Sequence, residues 1–94
     1  MIHPATAKLT IELDAKAIGK RIASVRRAKR WRQSDLATAC GVTNSTVCAW
    51  ELGLRIPPVQ RIGRLSIHLR RTIDWLLYGR PKHGQLWKMA RLTS

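Results

Sequence analysis

The sequence predicts a compact all-α domain of five short helices. Apolar residues return at helical spacing from Ala17 onward. Glycines stand just past three of the helical segments, at 41, 53 and 79. The connections between segments are only a few residues long, and the chain has no internal repeat or low-complexity tract.

At 94 residues the chain has room for one domain with a short segment at each end. In residues 1–16, Leu9, Ile11 and Leu13 alternate with Thr10 and Glu12, a short period-two pattern that reads as an edge strand. From Ala17 the period changes. Ile18, Ile22 and Val25 fall on one helical face while Lys20, Arg21, Arg27 and Lys29 point away, giving a first helix over about 16–29. A second helix fits 33–40, with Leu36, Ala37 and Cys40 inward and Gly41 placed to end it in the left-handed conformation. Thr43 is a suitable N-cap for a third helix over 44–52, whose inner face is Val47 and Trp50, with Gly53 as its stop.

"LRIPP" then reads as a loop, because a residue preceding proline is driven out of the helical region. A fourth helix fits 58–69, with Pro58 in its first turn and Val59, Ile62, Leu65, Ser66 and Leu69 on its apolar face. Gly63 inside it costs about 1 kcal/mol relative to alanine. Thr72 caps a fifth helix, "IDWLLY", where Asp74 complements the positive end and Gly79 stops it. Residues 80–94 form a basic tail carrying Leu86, Trp87, Met89 and Leu92, and periodicity fits a helix or a strand there equally.

Charge narrows the partner. Eighteen Lys and Arg against five Asp and Glu give a formal net charge of +13, which repels itself in the compact state unless a polyanion screens it. Nucleic acid is the leading partner and an anionic membrane surface the second. No apolar run is long enough to span a membrane, and the N-terminus lacks a secretory pattern, so a cytoplasmic location is expected. Cys40 and Cys48 read as free thiols. The scattered histidines His3, His68 and His83 argue against a metal, and no cofactor is indicated. Catalysis is a poor reading, since no histidine sits near a nucleophile and no glycine-rich phosphate loop appears.

Residues 17–79 resemble the lambda-repressor/Cro-like (XRE-type) helix-turn-helix family. The resemblance rests on Ile18-Gly19, Arg21-Ile22, Arg26, Gln33, Leu36-Ala37, Gly41-Val42, Val47, Trp50-Glu51, Gly53, Pro57, Leu69 and "DWLLYG" at 74–79. It implies that the second and third helices form the helix-turn-helix, with the third reading bases in the major groove. Carried over by position, the readers are Asn44, Ser45 and Ala49, with Thr43 and Cys48 beside them. Asn44 suits adenine, Ala49 offers only apolar contact, and Ser45 suits a base or a phosphate. The resemblance places Gln33 and Thr46 at the DNA backbone, and Arg30, Arg32 and Arg55 lie in loops where they would bind phosphate. Arg26 and Glu51 match a structural ion pair that bridges the first helix to the end of the third. Trp50 and Trp75 read as core residues rather than stacking platforms.

Four positions depart from the family pattern. Arg32 stands where Ser or Thr caps the second helix, so its start moves to Ser34 or relies on another group. Arg70 and Arg71 replace a small residue and a buried valine, which affects the corner between the last two helices. Ala49 replaces a long polar side chain.

The function implied is a sequence-specific, double-stranded DNA-binding regulator, a repressor of phage or mobile-element type. It is expected to bind an imperfect palindrome as a homodimer, with residues 17–79 as the DNA-binding domain. The rival is an antitoxin that binds its own promoter and sequesters a toxin protein through the flanking segments 1–16 and 80–94. In either case the arm or the tail would serve dimerisation or hold the protein partner.

Overall fold

In the computed structural model, residues 13–79 are described and form five helices: α1 (Ala15–Ala28), α2 (Gln33–Cys40), α3 (Asn44–Glu51), α4 (Val59–Leu69) and α5 (Ile73–Tyr78). The edge strand expected over "LTIEL" falls mainly outside these residues, as does the basic tail from residue 80. Leu13, at the near end of that stretch, lies in an irregular, exposed segment.

Each helix starts where its first free N–H groups find an acceptor. Asp14 caps α1, its carboxylate accepting from the Ala17 N–H at 3.1 Å, so the helix opens one residue earlier than the apolar pattern predicts. Thr43 caps α3 and Thr72 caps α5 in the same way. The departure at Arg32 is resolved at α2. An arginine has no side-chain acceptor to cap with, yet the start stays at Gln33, because the Asp35 carboxylate reaches back to accept from the Arg32 N–H at 2.8 Å. Pro58 sits one position outside α4, where its carbonyl accepts from the Arg61 and Ile62 N–H groups.

The helices enclose a single core of Ile18, Ile22, Val25, Leu36, Ala37, Cys40, Val47, Trp50, Ile62, Leu65, Leu69 and Leu76. Two expectations about that core are corrected. Val59 is 84% exposed: it lies to one side of the row Ile62, Leu65 and Leu69, in the first turn, where no other described residue packs over it. Trp75 is half-buried at the core's edge, and the Arg71 guanidinium stacks 4.5 Å from its ring centre. That stack accounts for an arginine at a position expected to hold a buried valine. The corner before it turns through Arg70 in the left-handed conformation, and the Ser66 hydroxyl donates to the Arg71 carbonyl at 2.6 Å.

Glycine is demanded at Gly19, where α1 crosses the end of α3. A Cβ there would lie 2.3 Å from the Trp50 carbonyl oxygen and 2.7 Å from that of Glu51. Only a glycine lets the two backbones approach so closely. Two arginines join the ends of helices to their neighbours. Arg21 donates to the Leu76 carbonyl at 2.7 Å, and Arg61 to that of Cys40 at 3.2 Å, each meeting an oxygen that its own helix leaves free.

Candidate nucleic-acid interface

The helix-turn-helix is α2, the turn through Gly41, and α3. Gly41 ends α2 at φ 70°, and Val42 N–H returns to the Ala37 carbonyl at 3.0 Å, which fixes the angle between the helices. Val47 and Trp50 anchor α3 in the core, Trp50 being only 2% exposed. What remains outward is its first turn and the side bearing Ala49.

Three hydroxyls organise that turn. Thr43 Oγ1 accepts from the Thr46 N–H and lies 3.1 Å from Ser45 Oγ and 2.8 Å from Thr46 Oγ1. Ser45 and Thr46 are therefore tied to the cap. Asn44 is exposed and makes no side-chain hydrogen bond among the described residues, so its amide is free to read an edge. Ala49 is half-buried and presents only its methyl group. The start of α3 is also the positive end of a helix, suited to an approaching anion.

A buried polar network fixes the far end of α3. Arg26 donates to Glu51 through Nε at 2.6 Å and Nη2 at 3.0 Å, and through Nη1 to the Trp31 carbonyl at 2.7 Å. Both side chains are at most one-tenth exposed. The hydrogen bond to Glu51 holds the guanidinium pKa above its ordinary value, against the lowering effect of burial. Gln33 Nε2 donates to the same carboxylate at 2.9 Å. The residue expected at the DNA backbone is thus held by the pair expected to be structural, and one of its two amide hydrogens stays free.

Cys48 lines a groove of about 210 Å³ between α1 and the helix-turn-helix. Lys20 and Arg27 of α1 line this groove together with Gln33 and Glu51. Reading α1 alone put both cations simply on the solvent side. Their i, i+7 spacing was the available signal that one helical face carries them toward a common site. Of the loop cations, Arg30 is exposed in the left-handed conformation (φ 60°), Arg32 is exposed before α2, and Arg55 is exposed after α3. Lys29 lies 5.6 Å from the centre of the Trp31 ring. Among the described residues no group of three or more metal-binding side chains is assembled.

A family model described as helix-turn-helix matches residues 22–76, from the middle of α1 into α5. The chain belongs to the lambda-repressor-like helix-turn-helix family. Members of this family are DNA-binding transcription regulators. Among solved structures, the P22 c2 repressor in complex with a synthetic operator is 32% identical, with a TM-score of 0.66 over 67% of this chain and 96% of that one. SinR, a master regulator for biofilm formation solved with DNA, is 32% identical, with a TM-score of 0.59 over 63% of this chain and 95% of that one. The N-terminal DNA-binding domain of SinR from Bacillus subtilis is 30% identical, with a TM-score of 0.62 over 72% and 97%. No curated protein matches the chain significantly.

Proposed function

We propose that this helix-turn-helix protein is a repressor of phage or mobile-element type. It binds an inverted repeat in double-stranded DNA as a homodimer, with α3 in the major groove. The observation that carries the reading is the contrast along α3. Its inner side and far end are fixed by Trp50, Gly19 and the Arg26–Glu51–Gln33 network, while Asn44 and Ser45 are exposed at its start and half-buried Ala49 presents its methyl group further along. A pre-organised helix end with few free polar groups can distinguish bases without a large ordering cost. The similarity to a repressor solved with a synthetic operator, and to SinR solved with DNA, supports the same docking.

In this reading the cations supply affinity without sequence preference. Arg30, Arg32 and Arg55, with Lys20 and Arg27 from the groove, neutralise phosphates, while Thr46 and the free amide hydrogen of Gln33 donate to the backbone. Arg21, Arg26 and Arg61 already hold the fold together and are left out of that set. Neutralising about six phosphates would make log K fall against log salt with a slope near −5.

The test is selection from random duplexes followed by footprinting of the winning sequence. A palindrome protected on one face of the helix is expected. Ala49→Arg should change the preferred base opposite it, whereas Arg55→Ala should weaken all sequences alike and reduce the salt slope by about one. Equal binding of random duplexes and RNA, with no site enriched, would refute the reading.

A further inference from the structure

Helix α4 carries a surface that no other part of the described residues covers. Val59, Gly63 and Ile67 lie at successive four-residue steps, so they form one stripe along the helix. Val59 and Ile67 are 84% and 74% exposed. Gly63 is the unusual member. It is not at positive φ, and a Cβ built on it would meet no atom within 4 Å. Neither backbone conformation nor internal packing asks for glycine there, although glycine weakens a helix. A glycine in the middle of an exposed apolar stripe lets another backbone come close, since the distance between packed helices is set by the side chains at the contact.

We infer that this face of α4 is where two copies of the chain meet, packed antiparallel with Gly63 on the two-fold axis. The stripe is nearly symmetric about that residue, with an aliphatic side chain four positions to either side. An antiparallel pair therefore sets Val59 of each copy against Ile67 of the other, the self-complementary contact that two-fold symmetry requires. Charge points to a second copy as the occupant. Two chains of net charge +13 meet at least cost where charges are fewest. Of the exposed residues of α4, Val59, Gln60, Arg64 and Ile67, only Arg64 is charged, and it sits on the edge toward Cys40; Gly63, Arg61 and His68 are half-buried, and Arg61 is held by the Cys40 carbonyl. An acidic partner would find far more to hold on the cationic side of α1.

The surface is continuous in sequence with exposed Leu54 and Ile56 in the loop before α4. A helix of 11 residues is roughly 16 Å long, and a contact of that length falls short of the roughly 800 Å² per partner of a standard interface. The dimer is accordingly weak in free solution and completes itself on two adjacent half-sites. The inference gives the proposed homodimer its interface and so rests on that reading.

Sedimentation of the full chain without DNA is the test, over a concentration series into the range of about 100 µM. The wild type should show a reversible monomer–dimer equilibrium. Gly63→Leu and Ile67→Glu should each raise the dimer dissociation constant by about tenfold or more while leaving helix content unchanged. A gain-of-contact variant guards against trivial loss. In a Cys48→Ser background, Gly63→Cys should join to itself through a short bis-maleimide, whereas Ser24→Cys on exposed α1 should not. A wild type that stays monomeric, or a dimer indifferent to both substitutions and unlinked through position 63, overturns the inference. Dimerisation without enrichment of any duplex would leave this interface standing and refute the DNA reading instead.

Discussion

Glu51→Ala tests the polar network that holds α3. The carboxylate accepts from Arg26 Nε and Nη2 and from Gln33 Nε2, at 2.6, 3.0 and 2.9 Å, and its side chain is 5% exposed. Truncating it leaves a buried guanidinium with only the Trp31 carbonyl at 2.7 Å for company. Removing one partner of a buried pair costs about 3–5 kcal/mol, several times the worth of an exposed bridge. A domain the size of residues 13–79 has a total stability of roughly 3–10 kcal/mol, so the variant should lose about three-tenths of it or more. For a domain this small, each kcal/mol shifts the melting temperature by about 4–8 °C. Urea denaturation followed by far-UV circular dichroism reads the loss directly. The double variant Arg26→Met, Glu51→Leu should be more stable than either single variant, because it leaves no unpaired charge. A loss below about 1 kcal/mol for Glu51→Ala would refute the reasoning and place the pair in the class of surface bridges.

Further outcomes follow from single contacts. Gly19→Ala should destabilise by about 1–3 kcal/mol and weaken DNA binding beyond the stability effect, because the added methyl group can be relieved only by moving the end of α3 away from α1; denaturation paired with a binding titration separates the two. The thiols should differ under a disulfide reagent. Half-buried Cys48 in its groove reacts fast, while Cys40, whose pKa is raised by burial, reacts only as the fold opens. The sign of the Cys40 shift means the fold favours the protonated thiol. That contribution is full below the unfolded thiol pKa and is lost as pH rises through the folded value, so Cys40→Ala should flatten the alkaline fall in stability.

Local patterns carried much of the fold. The bounds of α2 and α5, the caps at Thr43 and Thr72, and the stops at Gly41, Gly53 and Gly79 were all legible, because capping and left-handed turns depend on neighbours a few residues away. The start of α1 was read one residue late, since Asp14 acts through a hydrogen bond rather than through apolar period. Val59 and Trp75 were misplaced because period says which side of a helix is apolar, not whether another helix covers that turn. In the candidate interface, Asn44, Ser45 and Ala49 were named from the resemblance to the helix-turn-helix family, and all three lie on α3. The groove that brings Lys20 and Arg27 beside Gln33 and Cys48 could not be read in this way, since it joins residues up to 32 positions apart, from Lys20 of α1 to Leu52 at the end of α3.

By itself the sequence determined that five short helices form, where they stop, and that the chain seeks a polyanion. Those properties follow from period, capping chemistry and net charge, all of which are local or additive along the chain. Only the tertiary structure decided which cations are free. It draws Arg21, Arg26 and Arg61 into the fold by giving them carbonyls and a carboxylate that lie far off in sequence. It also decided that Gln33 answers to Glu51, and that Gly19 is compelled by packing while Gly63 is not. Those outcomes depend on distances between elements, and such distances exist only once the helices have packed.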